Sequence, residues 1–217
     1  MIFAVIGDVR GDARAFTSVL NSIEEEGIHV VFQSGNLVLG GDSGAQVLRH
    51  VQEGNIEVVQ GKGDAALVRF GRKQSGRRQG SPSAGVSELA ACYESLGSAD
   101  IEWLRSLPKK RGIAMDGFSI LLCHGSPTNQ SYQLSAETSA LRFRREREAS
   151  EASVIVCGGS DSNFSTQVDD TLFVMPGPMV PEAGACQWAL VDLESAPWSV
   201  RFQTLALKGR EDGHAGI

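Results

Sequence analysis

Residues with side chains able to do chemistry stand just after short apolar runs: Asp8 and Arg10 in VIGDVRGD, Asn36 in SGNLVLGGD, Lys62 and Asp64 in QGKGDA, His124 in LLCHGSP, and Asp161 in CGGSDSNF. A strand end is where a fold presents functional groups to a cleft. Carboxylates and a histidine can ligate metals or move protons, whereas arginine and lysine offer no lone pair and receive anions instead. The two kinds alternate along the chain. The set is therefore mismatched for a metal centre and for a simple acid–base pair alike.

Parallel strands and helices must position these groups. IFAVI (residues 2–6) is a continuous apolar run, as expected of a strand buried on both faces. Ala15, Phe16, Val19, Leu20 and Ile23 then recur with helical spacing over 13–26, and Gly27 suits the helix end. HVVFQ predicts a second strand, 45–52 a second helix and IEVVQ a third strand. This βαβαβ opening implies right-handed crossovers and a parallel sheet. Residues 71–85, rich in Gly, Ser and Arg, predict a flexible basic loop. Helices are expected over 86–96, 100–106 and 135–149, and strands at FSILLCH, SVIVCG, TLFVMP, CQWALVDLE and WSVRFQTLAL. The last two alternate more strictly and flank Pro197, which predicts an antiparallel hairpin.

The expectation is one domain over 1–207, a four-layer αββα sandwich of the α/β class, with a disordered tail over 208–217. With 41% hydrophobic residues the 217-residue chain can bury a full core. Four widely spaced cysteines with no CxxC pair argue against a zinc knuckle or a disulfide framework and for a reduced, cytoplasmic protein. Cys123 and Cys157 read as small core residues. No apolar run reaches membrane-spanning length, and the net charge of −6 disfavours nucleic acid as a partner.

The order of motifs resembles the calcineurin-like metallophosphoesterases, in particular their small bacterial and archaeal phosphodiesterase branch. Those carry DxHG, GDxxxxG, GNHD, HG, GHTH and NPGS at successive strand ends. Here stand DVRG (8–11), GNLVLG (35–40), GKGD (61–64), HG (124–125), GGSD (158–161) and MPGP (175–178). The resemblance implies two divalent metals, about 3.5–4 Å apart in such sites, that clamp a phosphate and activate water. It also implies which positions would hold them. Asp8 and His124 keep the family residue, while Arg10 replaces a histidine ligand, Asn36 the bridging aspartate and Lys62 an asparagine ligand. Gly63 replaces the leaving-group histidine, and Gly159 and Asp161 the paired histidines of GHTH.

On this resemblance the binuclear site is expected to be dismantled, with Asp8 and Asp161 neutralised by Arg10 and Lys62 in place of metal. The catalytic set is then a vestigial cleft of Asp8, Asn36, Asp64 and His124. Asp8 with Arg10 then reads as a structural ion pair at a strand end, or Arg10 and Lys62 become anion-binding residues for a phosphate-containing small molecule, or the surface serves a protein partner. No cofactor is expected; the alternative is a single manganese, zinc or magnesium ion on Asp8, Asn36, His124 and Asp161 with residual phosphoesterase activity. A further alternative is a nucleotide or nucleic-acid binding module using the basic loop.

Overall fold

The computed structural model describes residues 1–74, 84–180, 185–194 and 196–207. Two five-stranded sheets face one another. The first has strands β1 (Ile2–Ile6), β2 (Val31–Gln33), β3 (Glu57–Val58), β9 (Ala185–Asp192) and β10 (Ser199–Ala206), in the order β10-β9-β1-β2-β3. The second has β4 (Lys110–Met115), β5 (Phe118–His124), β6 (Val154–Gly158), β7 (Phe164–Val168) and β8 (Thr171–Met175), in the order β4-β5-β6-β8-β7. As the opening pattern implies, β1, β2 and β3 run parallel. The β9–β10 pair is the antiparallel hairpin around Pro197.

Period-2 alternation divides the side chains of each strand between two cores. Phe3 and Val5 point between the sheets, meeting Phe32, Ile120, Leu122, Val154, Val156 and Val174. Ala4 and Ile6 point outward, into a core covered by α1 (Ala13–Glu25) and α2 (Gly44–Glu53). The helices α3 (Lys62–Gln74), α4 (Ala84–Glu94) and α5 (Ser98–Ser106) complete that outer layer. On the far side α6 (Ala140–Glu148) lays Phe143 against Phe173 and Phe164. Helix, sheet, sheet, helix is the expected four-layer arrangement.

Several local expectations need correction. The loop predicted over 71–85 is helical up to Gln74 and again from Ala84; 75–83, like the predicted tail, lie outside the described residues. Helix α3 was hidden because Gly63, Gly71 and its basic residues weaken a periodicity carried by Ala65, Leu67 and Val68. Strands β4 and β7 were missed, since their half-exposed residues give no continuous apolar run. Helix α6 starts at Ala140, not 135, where the Ser139 hydroxyl caps it by accepting from the Arg142 amide at 3.3 Å. Phe164 is partly buried and packs against the outer core. Cys123 and Cys157 are core residues with sulfurs 3.7 Å apart. No helix among the described residues is long and apolar enough to cross a membrane.

Glu146, on α6, is a charged side chain with no exposed surface. It pairs with Arg142 and accepts from the Thr128 amide at 2.9 Å and the Thr128 hydroxyl at 2.8 Å. The loop following His124 is thereby fixed to the helix layer, and Gln130 in that loop reaches the Gln60 carbonyl at 2.6 Å. Glu146→Gln would set an amide donor against one of those donors. We expect a loss of about 1–3 kcal/mol, the usual cost of a buried mismatch, read from denaturant midpoints at unchanged slope.

Candidate functional site

Chain reversals at the carboxyl ends of β1, β2, β5 and β6, and the N-terminus of α3, meet at one edge of the facing sheets. Asp8 follows β1, is 3% exposed, and its carbonyl accepts from the Met179 amide at 3.0 Å. The turns after β1 and β2 are stitched by main-chain bonds, Arg10 N to Asn36 O at 3.0 Å and Gly11 N to Leu37 O at 2.8 Å. Arg10 and Asn36 both adopt left-handed backbone, with φ of 53° and 59°. That conformation costs a non-glycine residue about 1–2 kcal/mol. Such strain persists where the surrounding structure holds it, and it concentrates at functional sites.

Asp64 does much of the holding. Its carboxylate accepts from the Asn36, Leu37 and Gly61 amides, each at 2.9 Å. Burial pushes its carboxyl above the ordinary value, while those amides and nearby His124 pull it down. Gly61 cannot carry a side chain, because a Cβ there would lie 2.0 Å from the Asn36 amide nitrogen. Gln33, fully buried at the end of β2, bonds the Gly7 carbonyl at 3.0 Å and both polar groups of Gly35. Only its position, a polar residue closing an apolar strand, could have marked it in the sequence.

The polar contacts of the cleft converge on Asp8. Asn36 Nδ2 donates to Asp8 Oδ2 at 2.8 Å, and Arg10 Nη2 reaches the same oxygen at 3.2 Å. Asn36 side-chain Oδ1 in turn accepts from the Gly63 amide at 2.8 Å. Asp8 Oδ1 is buried and has no hydrogen-bond partner among the described residues. His124 Nδ1 lies 2.8 Å from the Ser34 carbonyl, which can only accept, so Nδ1 carries the proton. Its Nε2 faces Gly159, whose added Cβ would stand 3.0 Å away.

Asp8, Arg10, Asn36, Asp64 and His124 are thus brought together. Lys62 and Asp161 are exposed and enter no ion pair among the described residues, so the four-charge network expected from sequence reduces to Asp8–Arg10. Lys62, the first residue of α3, and Asp161, in the bend after β6, both leave their side chains toward solvent. A cavity of about 660 Å³ opens on the Arg10 side, lined also by Asp8, Asp12, Arg14, Asp42 and Ser43. Sequence reasoning passed over Arg14 and Asp42, which lie outside the motifs.

The description "calcineurin-like phosphoesterase superfamily domain" belongs to the family model that matches residues 1–196. The chain belongs to that superfamily. No curated protein matches it. Among solved structures it is similar to the hypothetical protein PH1004 from Pyrococcus horikoshii OT3, at 20% identity and a TM-score of 0.81, covering 96% of this chain and 89% of that one. A metallophosphoesterase from Sphaerobacter thermophilus gives 18% identity and 0.73, over 94% and 88%. Wild-type Vps29 from Entamoeba histolytica, in a complex with zinc, gives 14% and 0.50, over 94% and 98%. At these identities the likeness establishes the fold alone.

Superfamily membership implies a metal pair, and the donors present do not fit one. Both polar ends of the Asn36 amide are engaged, one on Asp8 and one by Gly63. A guanidinium sits on the carboxylate that would be a ligand, and a cation cannot ligate and repels another. Among the described residues no group of three or more His, Cys, Asp or Glu side chains is arranged to hold an ion.

Proposed function

We propose that this calcineurin-like phosphoesterase homologue is a pseudoenzyme that binds a phosphate-containing ligand without hydrolysing it. The observation that carries the reading is the pairing of Asp8 Oδ2 with Arg10 and Asn36, where the family resemblance puts a metal. Two further features support it. The side chain of Arg10 is 55% exposed, leaving guanidinium N–H groups toward the neighbouring cavity. The N-terminus of α2 at Ser43 opens on that cavity without a side-chain cap, an arrangement that favours an anion. The ligand enters as a small molecule, or as a phosphate presented by a protein partner.

Thermal denaturation with added phosphate or manganese tests this. Phosphate at 100 times its Kd is expected to stabilise by about 2.7 kcal/mol, a shift of roughly 5–10 °C for a chain of this size. Manganese is expected to leave Tm unchanged, and a screen of phosphomonoesters and phosphodiesters to show no turnover. A manganese-dependent rise in Tm together with hydrolysis would replace this reading by the single-ion phosphoesterase, for which the unpartnered Asp8 Oδ1 is the relevant observation.

A further inference from the structure

The charges of the Arg10 cavity say more about its ligand than phosphate binding alone, and the inference that follows rests on that anion-binding reading. Asp8, Asp12 and Asp42 line the cavity against Arg10 and Arg14, so carboxylates outnumber guanidiniums. A bare phosphate entering there meets a surplus of negative charge. It also competes for Arg10, the cation on a carboxylate that is 3% exposed. Buried charge is tolerated only when paired and hydrogen-bonded. As Arg10 turns toward the phosphate, Asp8 keeps Asn36 Nδ2 on one oxygen and has nothing on the other.

A ligand carrying its own cation removes both difficulties. We propose that the cavity takes an aminoalkyl phosphate, a phosphoryl group with a primary ammonium a few bonds away. The ammonium replaces Arg10 on Asp8 and supplies the hydrogen bond that Oδ1 lacks, while Arg10 receives the phosphoryl oxygens. Every buried charge stays paired through this exchange. The arginine is suited to it, being half exposed and tied to Asp8 by one contact of 3.2 Å. Gly40 and Gly41, which line the same cavity, bring main chain up against Arg10: a Cβ on Gly40 would stand 3.2 Å from Arg10 Cβ.

Titration calorimetry of the full chain with inorganic phosphate, glycerol 3-phosphate and O-phosphoethanolamine tests the proposal. Phosphoethanolamine is expected to bind about tenfold tighter than either of the others, the increment of one charge-assisted hydrogen bond. Asp8→Asn should reduce that preference to about onefold; if the variant fails to fold, the wild-type preference decides alone. Equal affinity for all three overturns the inference and leaves the anion reading standing. Failure of every phosphate-bearing probe to bind overturns both. Co-sedimentation with vesicles of phosphatidylethanolamine in phosphatidylcholine assigns the ligand to a lipid headgroup; binding of the free ester without co-sedimentation assigns it to a soluble metabolite.

Discussion

The variant combining Arg10→His, Asn36→Asp, Lys62→Asn, Gly63→His, Gly159→His and Asp161→His is expected to bind manganese and hydrolyse bis(p-nitrophenyl) phosphate, where the parent does neither. The substitutions return the ligand types, the bridging carboxylate and the leaving-group acid that the family resemblance implies, and they remove the cations that repel metal. Each alone should do almost nothing, because groups that act as a unit are strongly non-additive.

The structure also indicates what the metal-free variant would suffer. Asn36→Asp sets a second carboxylate where Asn36 Nδ2 now lies 2.8 Å from Asp8 Oδ2, and carboxylates that close cannot both ionise freely. Gly159→His puts a side chain on backbone with φ of 69° and a Cβ 3.0 Å from His124 Nε2. Left-handed backbone at such a residue costs about 1–3 kcal/mol. The apo variant should therefore melt roughly 5–10 °C below the parent, and manganese should restore the loss, because binding only to the folded state stabilises it. A folded variant that takes up no metal would locate the defect in the backbone of these turns. Hydrolysis by the untouched parent at the variant's rate would show that the site was never dismantled.

Asp64→Ala should have the largest effect on stability of any single change at the site. It orphans the Asn36, Leu37 and Gly61 amides together. A buried donor left without a partner costs about 1–3 kcal/mol, so a total of about 3–6 kcal/mol and a Tm drop of roughly 10–20 °C are expected. Asp64→Asn keeps one acceptor oxygen and should lose about half as much. Binding should fall in parallel, since Asn36 is oriented toward Asp8 by these bonds. A loss below about 1 kcal/mol for Asp64→Ala would show that water reaches the amides, and that the turn is held by the Gln33 bonds and the stitch to Arg10.

Much of this protein was legible in the sequence because strand burial and helix periodicity are local. IFAVI, SVIVCG and TLFVM read as buried strands, and they are buried apart from their first residues Ile2 and Ser153. The spacing of Phe16, Val19 and Ile23 placed α1 within a residue of its observed end. Where local signal was weak, the reading failed. Strand β4 exists because its backbone pairs along β5 from Lys110 to Met115, a non-local bond pattern that half-exposed side chains do not announce.

At the site, the sequence determined which residue types stand at the strand ends, and hence that cations occupy positions where the family resemblance puts metal ligands. Only the tertiary structure decided which charges meet. Lys62 and Asp161 look equivalent to Arg10 and Asp8 in sequence, yet the start of α3 and the bend after β6 leave them exposed. Arg10 is carried onto Asp8 by left-handed backbone locked to the Asn36 turn, and Arg14 and Asp42 reach the cavity from outside every motif. The physical reason is that pairing depends on distance and on exclusion of water, and both are set by how separate segments pack.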